Sequence, residues 1–206
     1  MRSGKSLTCD KGDRLTFMKK YRNDYRKKGN RYEYTGQWYR TRLSEQELRK
    51  TVLSSMILGI LALGFYIGGM CLNNDGSRVA WVLLPFVFLL LPVAYVIAGS
   101  GALYLRIRQN GENTSALVEI PQAHKKDLSR ADYEKQVKRP WRCSLGILIL
   151  GCGSFVSDLI FIFLDPKQRA VSAEYLFAAD SFVLILFGII LTVNNRKIKG
   201  SFEKLS

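Results

Sequence analysis

The sequence predicts an all-α fold, a polytopic membrane protein organised as a four-transmembrane-helix bundle. Three observations carry that class. Four apolar stretches, 51–72, 79–105, 143–164 and 175–193, each supply close to the ~20 residues that cross ~30 Å of hydrocarbon at ~1.5 Å rise per residue. In a chain of 206 residues they leave too little for a large soluble domain. The third observation is charge, since 28 of 31 Lys and Arg fall on one side once the chain crosses four times. An excess of Lys and Arg marks the cytoplasmic side, which puts both termini and the central loop inside.

That distribution also decides the partners. A net charge of +14 in a soluble protein would suggest nucleic acid. Here the cations flank membrane spans, so the anionic inner leaflet of the cell (plasma) membrane is the expected partner and no nucleic acid is.

Residues 1–43 form a basic, Tyr- and Trp-rich segment without the apolar run of a secretory signal, so the first span is expected to serve as the uncleaved membrane signal. Met18 followed by Lys19 and Lys20 fits a bacterial translation start, with 1–17 outside the native chain. Over 31–43, Tyr32 and Tyr34 alternate with charged residues, Thr35-Gly36 offers a turn, and Tyr39, Thr41 and Leu43 alternate again. This predicts a hairpin. Its aromatic residues read either as a docking surface for a soluble partner or as an interfacial belt holding Trp38 and Tyr39 at headgroup level, and the belt is favoured.

The first helical hairpin covers 44–105. Ser44 and Glu47 form a capping box, with Leu43 and Leu48 as its hydrophobic staple. Gly64 and Gly68 make a Gly-x-x-x-Gly pair that predicts close helix approach. In the second span Pro85, Pro92 and Gly99 recur every seven residues on nearly one face. Each proline frees a carbonyl from the helical ladder, so this face is either a broken helix lining a pathway or a kinked packing surface, the latter favoured.

The cytoplasmic loop, 106–142, repeats the staple and cap at Leu128-Ser129. A short basic amphipathic helix is expected from there to about Arg139, stopping at Pro140, lying on the membrane surface with Trp141 as an interfacial anchor. The second hairpin, 143–195, precedes a basic tail, 196–206. Its Gly146-Ile-Leu-Ile-Leu-Gly151 matches Gly59-Ile-Leu-Ala-Leu-Gly64, and together with the two caps this suggests a parallel two-helix repeat. Gly151 and Gly153 are further packing positions.

The candidate ion or proton site is Asp158, Asp180 and Ser154. The two acids sit at similar depth on antiparallel spans, roughly 7–9 Å below the outer boundary by helical rise. An acid inside a membrane costs ~2.5–3.5 kcal/mol at mid-span and less near the interface. Two readings follow. One is a pair of carboxylates able to share a proton or cation; the other is two outer-edge acids that reach water, Arg78, Lys167 or Arg169.

Other residue types carry no chemistry. Cys9, Cys71, Cys143 and Cys152 show no Cys-x-x-Cys and lie at different depths. His124 stands alone, and Asn113-Thr-Ser115 lies on the predicted inner side. No nucleophile–base pattern, phosphate loop or metal helix is present. No enzyme, cofactor or metal is therefore expected, with catalysis on lipid at the membrane surface a distant alternative. The first expectation is an accessory or interaction subunit that binds another membrane protein, or itself as a homo-oligomer. The alternative is a small oligomeric transporter or channel using Asp158 and Asp180.

Overall fold

Ser44 starts the first long helix as its sequence dictates. Its hydroxyl accepts from the Glu47 amide and donates to the Glu47 carboxylate, both at 3.3 Å. The computed structural model describes residues 24–28, 31–72, 76–108, 118–119, 127–164 and 172–205. Its helices are α1 (Glu45–Cys71), α2 (Ala80–Phe88), α3 (Leu90–Arg108), α4 (Arg130–Tyr133), α5 (Arg139–Leu164) and α6 (Ser172–Gly200). The second span is thus two helices separated at Leu89. Pro85 and Pro92 withhold N–H groups on either side of that point, and the Leu89 amide tightens onto the Phe86 carbonyl at 3.0 Å.

The expected stop at Pro140 does not occur. Ser129 caps α4 by accepting from the Asp132 amide. A π-helical turn, Glu134–Lys138, then leads straight into α5, giving one run over 130–164. The Arg139 amide bonds back five residues to Glu134. The next amide in that register would belong to Pro140, so the wide turn falls where the chain lacks a donor. One face of this segment packs into the protein, with Ala131, Val137 and Pro140 buried and Lys135 and Arg139 exposed.

Four helices, counting α2 with α3, are long and apolar enough to cross a membrane. They close a ring in which α1 packs on α3 and α6, and α5 packs on α2, α3 and α6. Phe86, Leu89, Val93, Val96, Ile147, Phe177, Leu184 and Leu191 fill its axis. Outside, Phe163 is 83% exposed, Leu164 70% and Ile149 69%. At most a third of each span is buried inside the chain. Apolar exposure of that extent is intolerable in water and ordinary in lipid.

Among the described residues six short strands fall outside the all-α expectation. They are β1 (Tyr25–Lys28), β2 (Arg31–Tyr34), β3 (Trp38–Thr41), β4 (Val118–Glu119), β5 (Leu128–Ser129) and β6 (Phe202–Leu205). The hairpin expected across Thr35-Gly36 does not form. β2 pairs instead with β1 and β4, while β3 pairs antiparallel with β5 and β6. The second sheet therefore ties the leader, the central loop and the tail into one cap over the end of the bundle that carries both terminal segments. A second apolar cluster (Leu48, Val52, Leu103, Leu128, Val137 and Ile198) joins cap to bundle.

Candidate functional site

At the bundle end opposite the cap, α5 and α6 bring buried polar groups together. Along α5 the buried positions are Pro140, Ser144, Ile147, Gly151, Ser154 and Asp158, a helical stripe facing the axis. Asp158 shares it with Ser154 and Gly151, as its spacing predicts. The α6 stripe runs through Phe177, Ser181, Leu184, Gly188, Leu191 and Asn195. Asp180 stands one residue off that stripe and is half-buried, on its flank.

Close approach of the two helices makes the site. A Cβ added at Gly188 would lie 3.1 Å from the Leu148 backbone, and one at Gly151 would lie 3.2 Å from the Ile185 side chain. With the backbones this near, the Ser181 hydroxyl donates to Asp158 Oδ2 at 2.8 Å and stands 3.1 Å from the Ser154 hydroxyl. Both serines are 0% exposed and Asp158 is 3% exposed. Its other oxygen, Oδ1, is shielded from solvent and has no hydrogen-bond partner.

Asp180 reaches in the other direction, towards α1. Its Oδ2 would be 2.5 Å from a Cβ placed on Gly69, and it too is shielded and unpartnered. Only a glycine leaves room for a carboxylate there. Glu174, buried near the start of α6, accepts from the Gly76 amide at 3.1 Å. Below the acids, Phe86 stacks on Tyr66 with centroids 5.2 Å apart and meets Phe177 at 4.7 Å, where the apolar axis begins. By helical rise Asp158 lies about 9 Å from the end of α5 and Asp180 about 12 Å from the start of α6.

The remaining sequence-predicted positions go elsewhere. Pro85, Pro92 and Gly99 pack against α5 as a matched seam. A Cβ on Gly153 would lie 3.8 Å from Pro85, one on Gly146 3.6 Å from Pro92, and one on Gly99 2.3 Å from Pro140. Gly64 and Gly68 are exposed on α1, with open space around an added Cβ. Trp38 is buried in the cap, edge-on to Tyr34 at 4.8 Å. Tyr39 stacks on Tyr133 at 4.1 Å, and the Lys199 ammonium lies 3.4 Å from the centre of the Trp141 ring. Met18, His124, Asn113, Cys9, Lys167 and Arg169 lie outside the described residues.

No family model, curated protein or solved structure matches this chain. Its site is therefore read from its own geometry.

Sequence reasoning missed Ser181, Gly69, Gly188 and Glu174. Ser181 was detectable, because the α6 stripe of apolar and small residues runs through 181 and not 180. Also missed was the ion pair that locks the cap. Arg40 donates through Nε and a terminal nitrogen to the two oxygens of Asp127, at 2.8 and 2.9 Å. Arg106 meets Asp132 at 2.6 Å and the Asp127 carbonyl at 3.0 Å. These arginines and acids are too far apart in sequence for any local pattern to pair them.

Proposed function

We propose that this chain is a non-enzymatic accessory subunit of a membrane complex in the bacterial plasma membrane, with the cap and both terminal segments in the cytoplasm. The observation that supports it is the filled Pro85–Pro92–Gly99 face. The prolines that would open a pathway in one copy are seated on Gly153 and Gly146, and Gly99 receives Pro140. The free surfaces are the lipid-facing helices and the cap, and these are surfaces for partners. The orientation rests on the clustering of Lys and Arg at the cap end. Two Leu-Ser caps that open the long helices of both halves support a parallel two-helix repeat.

Native mass spectrometry of the protein, extracted gently from its own membrane, tests this reading. A stoichiometric foreign subunit is the expected result. A homo-oligomer with no companion would replace it with the second reading, an oligomeric transporter or channel. That reading is favoured by one observation, the burial of Asp158 with no basic side chain bonded to it among the described residues. Orientation has its own measurement. In a variant keeping only Cys71, which is exposed at the end of α1, a membrane-impermeant maleimide should label intact cells.

A further inference from the structure

The cap-side ends of α5 and α6 carry cations that the chain does not neutralise. Among the described residues Arg142, Arg196 and Lys199 have no ion-pair partner. The acids of the cap are committed elsewhere, Asp127 to Arg40, Asp132 to Arg106 and Glu203 to Arg42. Like charges gathered at one corner repel one another, and an anion among them removes that repulsion.

One contact fixes where these charges sit. The Lys199 ammonium lies 3.4 Å from the centre of the Trp141 ring, bridging α6 to α5. Arg142 is the next residue along α5. Arg196 stands one turn before Lys199 on α6, a spacing that leaves Cβ atoms ~5–6 Å apart. All three cations therefore belong to the same corner, and Arg142 and Arg196 are exposed there.

Depth defines the class of anion. Arg142 directly precedes the apolar run that opens at Cys143, and Arg196 follows by three residues the run that ends at Val193. By helical rise both stand within ~5 Å of the hydrocarbon edge. The polar layer of a leaflet, where lipid phosphates lie, is ~5–7 Å deep. Trp141, with an apolar ring and a polar N–H, suits the same level. Two turns into the hydrocarbon, Ile149 lies on the face of Arg142 and Ile189 on that of Arg196, and both are exposed. A basic corner thus stands directly over apolar walls.

We propose that the α5–α6 seam binds one anionic phospholipid at its cap end, the phosphate held by Arg142, Arg196 and Lys199 and an acyl chain laid over Ile149 and Ile189. The assignment goes beyond the accessory reading and rests only on the helices crossing a bilayer. The lipid supplies the counter-charge that the cap acids do not.

The test is a titration of the full chain, in neutral detergent, with dioleoylphosphatidylglycerol or dioleoylphosphatidylcholine. These lipids share acyl chains and differ in net charge, and the lipid retained is counted by native mass spectrometry. The expected result is one phosphatidylglycerol retained in preference to phosphatidylcholine. R142Q and R196Q should each weaken that retention about fivefold, the usual worth of one cation facing an anionic headgroup. Both arginines are exposed, so neither change disturbs packing. K197Q is the control, because Lys197 carries the same charge roughly 100° round α6 and should leave retention unchanged. Equal retention of the two lipids would overturn the proposal. So would an equal loss in K197Q, which would make net charge the cause. Displacement of the lipid by excess inorganic phosphate would overturn it in favour of a free anion. The companion sought in native membranes is found or not whatever this titration shows, so the two readings fail separately.

Discussion

At the scale of single residues the glycines divide by what surrounds them. Gly188 faces the Leu148 backbone, which cannot swing aside, so Gly188→Ala should cost about 1–3 kcal/mol by overpacking. Gly99→Ala should cost a similar amount, because the obstacle is the rigid ring of Pro140. Gly64→Ala meets open space and should leave stability unchanged or slightly raised. Unfolding of the three variants in mixed micelles checks the contrast. Had sequence spacing alone governed, Gly64 would be the sensitive position. The Gly-x-x-x-Gly pattern records what a helix face permits, while the partner that uses it is set by tertiary placement. Asp158 was legible because intramembrane acids are rare. Gly69, which makes room for Asp180, was not, since the residue it accommodates lies 111 positions away. In the cap, the hydrogen bond and the charge of Asp127 hold the Arg40 guanidinium above its ordinary pKa. A raised cation gives stability that is present at lower pH and lost only as pH climbs through the raised value, so Arg40 stays charged at every physiological pH.

At the scale of elements, span count and approximate limits were readable, because length and apolarity are local quantities. Cap residues were readable for the same reason, and Ser129→Ala should cost about 1 kcal/mol as the Asp132 amide loses its acceptor. The strands were not readable. Pieces of two to four residues gain their pairing from segments far away in the chain, and the alternation over 31–43 fitted a local hairpin equally well. Pro140 misled for a different reason. A proline ends a helix where its missing donor cannot be absorbed, and here a π turn absorbs it. The seam between α3 and α5 makes a graded prediction. Gly146→Ala brings only an ordinary contact with Pro92 and should be tolerated. Gly146→Leu should force the helices apart, measured as loss of the folded species on heating in nanodiscs.

At the scale of the molecule, the bundle and the cap are stabilised by different physics. The bundle is packed small-on-large inside lipid, where hydrophobic burial supplies little force between helices. The cap sits at the polar end and relies on strands, aromatic stacks and the Arg40–Asp127 and Arg106–Asp132 pairs. Raising the salt concentration should therefore loosen the cap before the bundle. The expected signature is faster amide exchange in 38–41 and 202–205 with the spans still protected, read by mass spectrometry.

The central strand of the second sheet has a consequence for how the chain is made. β3 leaves the ribosome before any span, yet its partner β6 follows all four. Until α6 has been inserted and the tail has returned, one edge of β3 stands bare. Closure of this sheet thus reports that every crossing has been completed in the right direction. A chain inserted with one span missing would deliver its tail to the opposite side of the membrane and leave that edge open to cellular proteases. The sheet is thus complete only when the last strand of the chain has arrived.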